Sequence, residues 1–430
     1  MVNLPGHLPY DGIVVWWEGR HGVHFSQHPI ALALLWRLAD AAGLAPGGIT
    51  AIQLGILWLA AYLLVRATHP HAALAFAFYA ALLLWPAFFA TSALGVKDVL
   101  GGHLLILAAV IAFAGPHPLS ARGLAVVMIL ATLAVLFRAQ FAVVWLVLAA
   151  ALTWRNWSSP IAARLVRSAT VATIGTAAVA GVMASLTFTI GTRAMPDPPH
   201  AGRKIMVYDI AGVLASRPTA PLPTFAAHGV DLPAFRSDVR ELYTPERVDW
   251  LWRPEEATGG AFVHVKDVPN AALFSQWRDA ALEEPAAFLL HRVRAFARVL
   301  GFGDIYGCIP VMAGVSALPA DLAREVGAGR LSAPLSLAVV KHRYFPANSP
   351  AFYAWVYAIA ACALLIGFAA RRPPFFVAFA AGAALLYELS FFAAPQACDV
   401  RYSYYLMMAV AFGSAALVFD AARRVEAAKR

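Results

Sequence analysis

The chain has 430 residues, 61% of them hydrophobic and 13% charged, with a mean hydropathy of +0.67. Soluble domains run at about 45–50% apolar and about 25% charged, so the composition argues against a water-soluble enzyme. It also excludes intrinsic disorder, collagen-like repeats and, with three cysteines, a secreted disulfide scaffold. The formal charge of +9, from 33 basic and 24 acidic residues, reads as cytoplasmic-loop bias and headgroup contact, with no nucleic-acid partner.

A helix crosses the hydrocarbon core with about 20 apolar residues. After an external loop at 1–47, six stretches qualify within 48–192, at about 48–66, 71–91, 99–115, 122–137, 139–154 and 167–191. Residues 122–154 taken as one helix would be roughly 50 Å long, so two helices meeting at Arg138-Ala139-Gln140 are predicted. Residues 193–348 form an external domain with 17 basic and 16 acidic residues, rich in Pro, Gly and charge over 193–285. Three more spans follow within 349–422, at about 349–369, 374–393 and 402–421. The tail at 423–430 carries Arg423, Arg424, Lys429 and Arg430 and marks the cytoplasmic side. Counting back, Arg371, Arg372, Arg155, Arg164, Arg167, Arg122 and Arg66 all fall on that side. The predicted fold class is an all-α polytopic membrane protein of about nine spans with a mixed external domain. Nine spans put the N-terminus outside without a leading helix, so either a first helix lies upstream of Met1, the favoured expectation, or the first translocated segment is unusually short.

In a chain this apolar, polar groups at the membrane face carry information. The first set is Pro5-Gly6-His7-Leu8-Pro9-Tyr10-Asp11, then Arg20, His21, His24 and Gln27-His28-Pro29. Asp11 reads either as the cap of a helix starting near Gly12 or as a general base at the mouth of a cavity; composition alone favours the cap. His21, His24 and His28 have a ligand-like spacing, but Gly22 and Pro29 break the helix that would align them, so hydrogen-bonded or solvated imidazoles are expected. The Lys97-Asp98 turn lies on the same face as Asp11. Arg138 and Gln140 occupy a very short turn near membrane depth, where the guanidinium either snorkels to headgroups or holds a phosphate in its fork. Asp399-Val400-Arg401-Tyr402 opens the last span with another guanidinium beside an aromatic ring. Separate turns thus deliver Asp11, Lys97, Asp98, Arg138 and Arg401 to one face.

Residues 286–302 read as an amphipathic interfacial helix, with Phe288, Leu289, Val293, Phe296 and Leu300 on one face and His291, Arg294 and Arg298 turned towards lipid phosphates. Packing inside the external domain is the alternative. Cys308 and Cys398 both fall outside, where disulfides form, and the sequence leaves open whether they meet. Cys362 lies mid-helix and reads as packing.

The order of these motifs resembles the GT-C superfamily of integral-membrane glycosyltransferases, which includes the bacterial aminoarabinose transferase and the protein O-mannosyltransferases. Leu4-Pro5-Gly6 followed by Asp11, a helix and His28-Pro29 is similar to that family's external loop with its catalytic acid. Lys97-Asp98, Arg138-x-Gln140, Tyr208-Asp209-Ile210-Ala211, Trp277…Pro285…Leu289-x2-Arg292 and Asp399-x-Arg401-Tyr402 also fit. The resemblance runs through most of the chain as short motifs in order. It implies a helical bundle in the bacterial inner membrane, an active site facing the periplasm, and a sugar on a polyprenyl phosphate as donor. The acceptor would be a hydroxyl of a glycan, lipid or protein. Asp11 would take its proton, attack would invert the anomeric carbon, and Lys97, Arg138 and Arg401 would hold the departing phosphate. His28, Asp98, Gln140 and Tyr402 are further candidates for substrate binding. Asp98 has no second acid beside it, so a divalent metal is not supported and no other cofactor is implied. A lipid-linked glycan polymerase or ligase is a second reading, though it would rely on arginine and histidine. A secondary transporter is a third, with Glu388 as its main intramembrane carboxylate.

Overall fold

The computed structural model describes residues 6–24, 28–115, 119–156, 193–194, 201–252, 260–303, 308, 312, 314–316, 320–328, 331, 349–371 and 374–429. The predicted span at 167–191 lies outside them, as do Gln27, Arg164, Arg167, Arg372 and Arg430. The described chain is all-α apart from a two-residue parallel pair, β1 (Val23–His24) with β2 (Arg193–Ala194). Its helices up to the predicted external domain are α1 (Tyr10–His21), α2 (Ile30–Ala41), α3 (Gly47–Thr68), α4 (Ala72–Leu84), α5 (Pro86–Thr91), α6 (Lys97–Phe113), α7 (Ala121–Phe137) and α8 (Ala142–Asn156). Then come α9 (Ala201–Ser216), α10 (Pro223–Ala227), α11 (Leu232–Leu242), α12 (Ala261–Val265), α13 (Asn270–Glu283), α14 (Pro285–Val299) and α15 (Ala320–Glu325). The last three are α16 (Ala354–Arg371), α17 (Phe375–Ala393) and α18 (Tyr404–Lys429).

Among the described residues, three helices are long and apolar enough to cross a membrane, Gly47–Thr68, Phe375–Ala393 and Val400–Lys429, the last being α18 with its leading turn. Shorter apolar helices occupy Ala72–Leu84, Ala121–Phe137, Ala139–Arg155 and Ala354–Ala370. The predicted stretch at 71–91 is two helices, because Trp85 is extended and Pro86 opens α5. Proline disfavours the α conformation in the residue before it and cannot donate to the preceding turn. Residues 122–154 divide where the length argument requires, at an extended Arg138 followed by a 3-10 turn, Ala139–Phe141.

Within the segment expected as an external loop at 1–47, the helix expected near Gly12 forms as α1, and a second helix, α2, packs against it. Pro9 and Pro29 lead into α1 and α2 in extended conformation, and Gly22, at φ 65°, closes α1 in the left-handed region. The predicted tail at 423–430 continues α18 as helix to Lys429. The predicted interfacial helix forms α14, with Leu289 and Val293 of its apolar face and Arg294 of its basic face exposed; His291, expected on the basic face, is buried instead, as is Arg292 beside it.

The described residues form two cores. The first joins α1–α8 with α16–α18, with Trp36, Leu57, Leu104, Tyr387 and Met407 inside. The second holds the 201–299 unit together around Val207, Tyr208, Phe225, Phe235 and Leu273.

Gly101 sets the depth at which the Arg138 turn meets α6. A Cβ there would lie 2.4 Å from the Phe141 ring. That ring is fully buried between Tyr387 and Tyr405, at 4.9 and 5.8 Å, and has nowhere to go. Gly101→Ala is expected to destabilise the protein by about 1–3 kcal/mol through overpacking. Thermal unfolding in detergent checks this, and an unchanged midpoint would contradict the packing account.

Candidate active site

The N-terminal segment is clamped on both sides. The His7 N–H donates to the Ala93 carbonyl at 3.0 Å, and the Gly95 N–H donates to that of His7 at 2.9 Å. Leu8 pairs on the other side with Gly314 and Ser316, at 2.9 and 2.7 Å. The His7 Nδ1 accepts from the Gly314 N–H at 2.8 Å. Burial pushes the His7 pKa down to about 4, which keeps the ring neutral and able to accept. The clamp ties the start of α1, with Asp11, to the turn that leads into Lys97.

Asp11 lies in the first turn of α1, behind Pro9, and makes no capping hydrogen bond. The capping reading is therefore corrected: Arg401 Nη1 donates to Asp11 Oδ2 at 2.6 Å. Charge pairing across the fold outcompetes a local cap that Pro9 cannot offer. Burial would raise the Asp11 carboxyl, but Arg401, His28 and Lys97 together hold it well below the usual carboxylate range. Lys97 precedes the predicted span at 99–115. Burial pushes its amine down to about 8, opposed by Asp11 and Glu18 and reinforced by Arg138 and Arg401.

Arg401 is fixed from behind. Asp399 meets it at 3.3 Å and meets Arg247 at 2.7 Å. The segment before Asp399 pairs with the 201–299 unit, the Val248 N–H donating to the Gln396 carbonyl at 2.9 Å and that of Cys398 to Glu246 at 3.1 Å. Cys398 is disulfide-bonded to Cys308, so the two cysteines that the sequence left open do meet, one residue from Asp399.

Tyr402 lies between two guanidiniums, with Arg401 at 5.0 Å and Arg138 at 4.7 Å from its ring centroid. Arg138 pairs with Asp98, both nearly fully buried, and its Nε donates to Gln140 Oε1 at 2.8 Å. The charge of Arg138 is thus matched inside the protein. His28 meets Glu18 at 3.1 Å, and His21 meets Glu325 at 3.3 Å, so these two imidazoles serve α1 and its neighbours. Glu388 is buried and accepts from Ser403 Oγ at 2.6 Å.

Sequence reasoning missed Lys204, Trp252 and Arg247. Lys204 is buried in α9 with its Nζ 4.2 Å from the centre of the Trp252 ring. Burial lowers its amine, Asp249 and Asp11 draw it back up, and Lys97 adds to the lowering. Its signal was its spacing, one helical turn ahead of Tyr208 on the same face as that motif.

The remaining motifs converge on Asp209, which is fully buried. Trp277 Nε1 donates to it at 2.7 Å, His291 meets it at 3.1 Å, and Arg292 pairs with it. Gly212 admits the His291 ring, since a Cβ there would lie 2.2 Å from it. The buried carboxylate recruits His291 and Arg292 of α14, which is why these two turn inward while Arg294 on the same helix stays exposed. Arg292 also donates to the Phe392 carbonyl at 3.2 Å, docking the 201–299 unit on the end of α17.

No protein-family model, curated protein or solved structure matches the chain.

Asp209→Asn leaves Arg292 buried with no carboxylate and is expected to destabilise the protein by about 3–5 kcal/mol. Asp321→Asn, whose partner Arg324 is as exposed as itself, should leave the melting temperature almost unchanged. Equal effects in a melting experiment would contradict the role given to Asp209.

Proposed function

We propose that the chain is a GT-C-type glycosyltransferase of the bacterial inner membrane, a bundle of about nine spans with its site on the periplasmic face. It moves a sugar from a polyprenyl phosphate to a hydroxyl of a glycan, lipid or protein, with inversion. The observation that supports this best is the Asp11–Arg401 contact, where a carboxylate 30% exposed meets a guanidinium only 7% exposed. A proton acceptor therefore stands at the mouth of the site and an anion binder behind it.

In the transfer step, the acceptor oxygen bonds to the anomeric carbon while its proton passes to Asp11. The bond from that carbon to the phosphate oxygen breaks, and the electron pair leaves on the phosphate. Arg401 and Lys97 meet the charge that develops there. Arg138, already matched by Asp98, acts across Tyr402 by holding that ring and adding to the field. An apolar cavity of about 360 Å³ between α4, α5, α16 and α18 suits the isoprenoid tail. Phe78, Leu82, Trp85, Tyr357, Val410 and Phe419 are among the residues that line it.

Asp11→Asn is expected to lower transfer by about 10²–10⁴-fold, the usual contribution of a general base, with insertion and folding kept. Sugar release from a panel of polyprenyl-phosphate hexoses and pentoses, with host membrane extract as acceptor, checks this. An active Asp11→Asn protein would sink the mechanism.

The pH dependence has a definite sign. Asp11 is ionised throughout the physiological range, so it sets no acid limb there. Lys97 loses its proton as pH rises through about 8, and the phosphate-binding cation goes with it. The rate should fall above about pH 8, and Lys97→Arg should carry it to higher pH. A flat alkaline side in the unaltered protein would contradict the place given to Lys97.

A further inference from the structure

A carboxylate locked on a guanidinium is a poor base, because the lone pair that would take a proton is already engaged. Two observations and one general property of guanidinium show which partner can be exchanged. Arg401 has two carboxylates, Asp11 at 2.6 Å and Asp399 at 3.3 Å, but Asp399 is held more closely by Arg247 at 2.7 Å. Asp11 is thus the nearest counter-ion of Arg401. Arg401 is immobilised by Asp399, by the Tyr402 ring and hydroxyl, and by the disulfide at Cys398, whereas the Asp11 side chain reaches solvent. The fork of a guanidinium accepts a phosphate oxygen as readily as a carboxylate oxygen.

We propose that Asp11 occupies on Arg401 the place of the donor's phosphate, so that donor binding exchanges the Arg401–Asp11 pair for an Arg401–phosphate pair and only then releases Asp11 as a base. This rests on the glycosyltransferase reading and adds an order to it. The lipid-linked donor binds before the acceptor hydroxyl is engaged, and the base does not exist until the leaving group is held. The exchange breaks one charge-assisted contact and forms another, so the site never leaves Arg401 without an anion.

The consequence is counterintuitive: removing the base should improve phosphate binding. Polyprenyl phosphate is titrated into the full chain in phosphatidylcholine nanodiscs, for the unaltered protein, Asp11→Asn, Arg401→Gln and the double variant. Asp11→Asn is expected to tighten binding about fivefold, the weight of one partly exposed ion pair. Asp11→Ala should do the same. In the Arg401→Gln background the Asp11 change should have almost no effect, because the competition acts through that guanidinium. Equal tightening in both backgrounds would mean general charge repulsion and would overturn the exchange, as would no tightening at all, and either leaves the glycosyltransferase reading standing. Failure of every variant to bind polyprenyl phosphate would overturn both. Inorganic phosphate and phosphatidylglycerol are run as separate arms. Displacement of the polyprenyl phosphate by either at matched concentration would assign Arg401 to any phosphate and overturn the donor-specific exchange.

Discussion

The contact between Asp11 and Arg401 joins residues 390 positions apart, and the rest of the site is arranged to hold it. Arg401 stands at the start of the last long apolar helix, where a bare guanidinium is costly. Its anions come from two directions, Asp11 on α1 and Asp399 on its own turn. Each is secured by backbone pairing elsewhere: the His7 and Leu8 bridges fix the approach to Asp11, and the Cys398 disulfide with the 246–248 pairing fixes Asp399. The contact is therefore a junction between the N-terminal hairpin, the 201–299 unit and the C-terminal helices.

The same constraint, that a buried charge needs a partner, explains the architecture around the site. Arg138 is held by Asp98 and Gln140, Glu18 by His28, and Asp209 by Arg292 and His291. These pairs tie one helix to another instead of decorating a surface, and the Asp209 cluster docks the second core on the first through the Phe392 carbonyl. Arg401 differs from them in having a principal partner that reaches solvent. A pair with one accessible member can be exchanged, and exchange is what a binding site needs.

Much of this was legible in the sequence, for reasons that differ by element. The long apolar helices α3, α17 and α18 follow from hydropathy, and the break at Arg138 follows from length alone. The convergence of Asp11, Lys97, Asp98, Arg138 and Arg401 came from charge asymmetry between the two sides. The start of α1 was legible near Gly12, but α2 was not foreseen, since its 12 residues, Ile30–Ala41, are too few to register as a span and lie inside a stretch read as a loop. Pro86 was overlooked inside an apolar run whose hydropathy stays high through the break. The burial of His291 in α14 was not legible because amphipathicity reports apolar faces and is blind to a buried acid on another helix. Lys204 was missed for the same reason: its meaning lies in Asp11 and Lys97, which are distant in sequence and near in space.

A single displacement with Asp11 as base and Arg401 behind the leaving phosphate has one stereochemical outcome. The most direct measurement is the anomeric configuration of the transferred sugar, read by NMR on product formed from a polyprenyl-phosphate sugar of known anomer by the purified protein. The account predicts inversion at the anomeric carbon. Retention would require a covalent sugar intermediate on the protein and would contradict the roles given to Asp11 and Arg401.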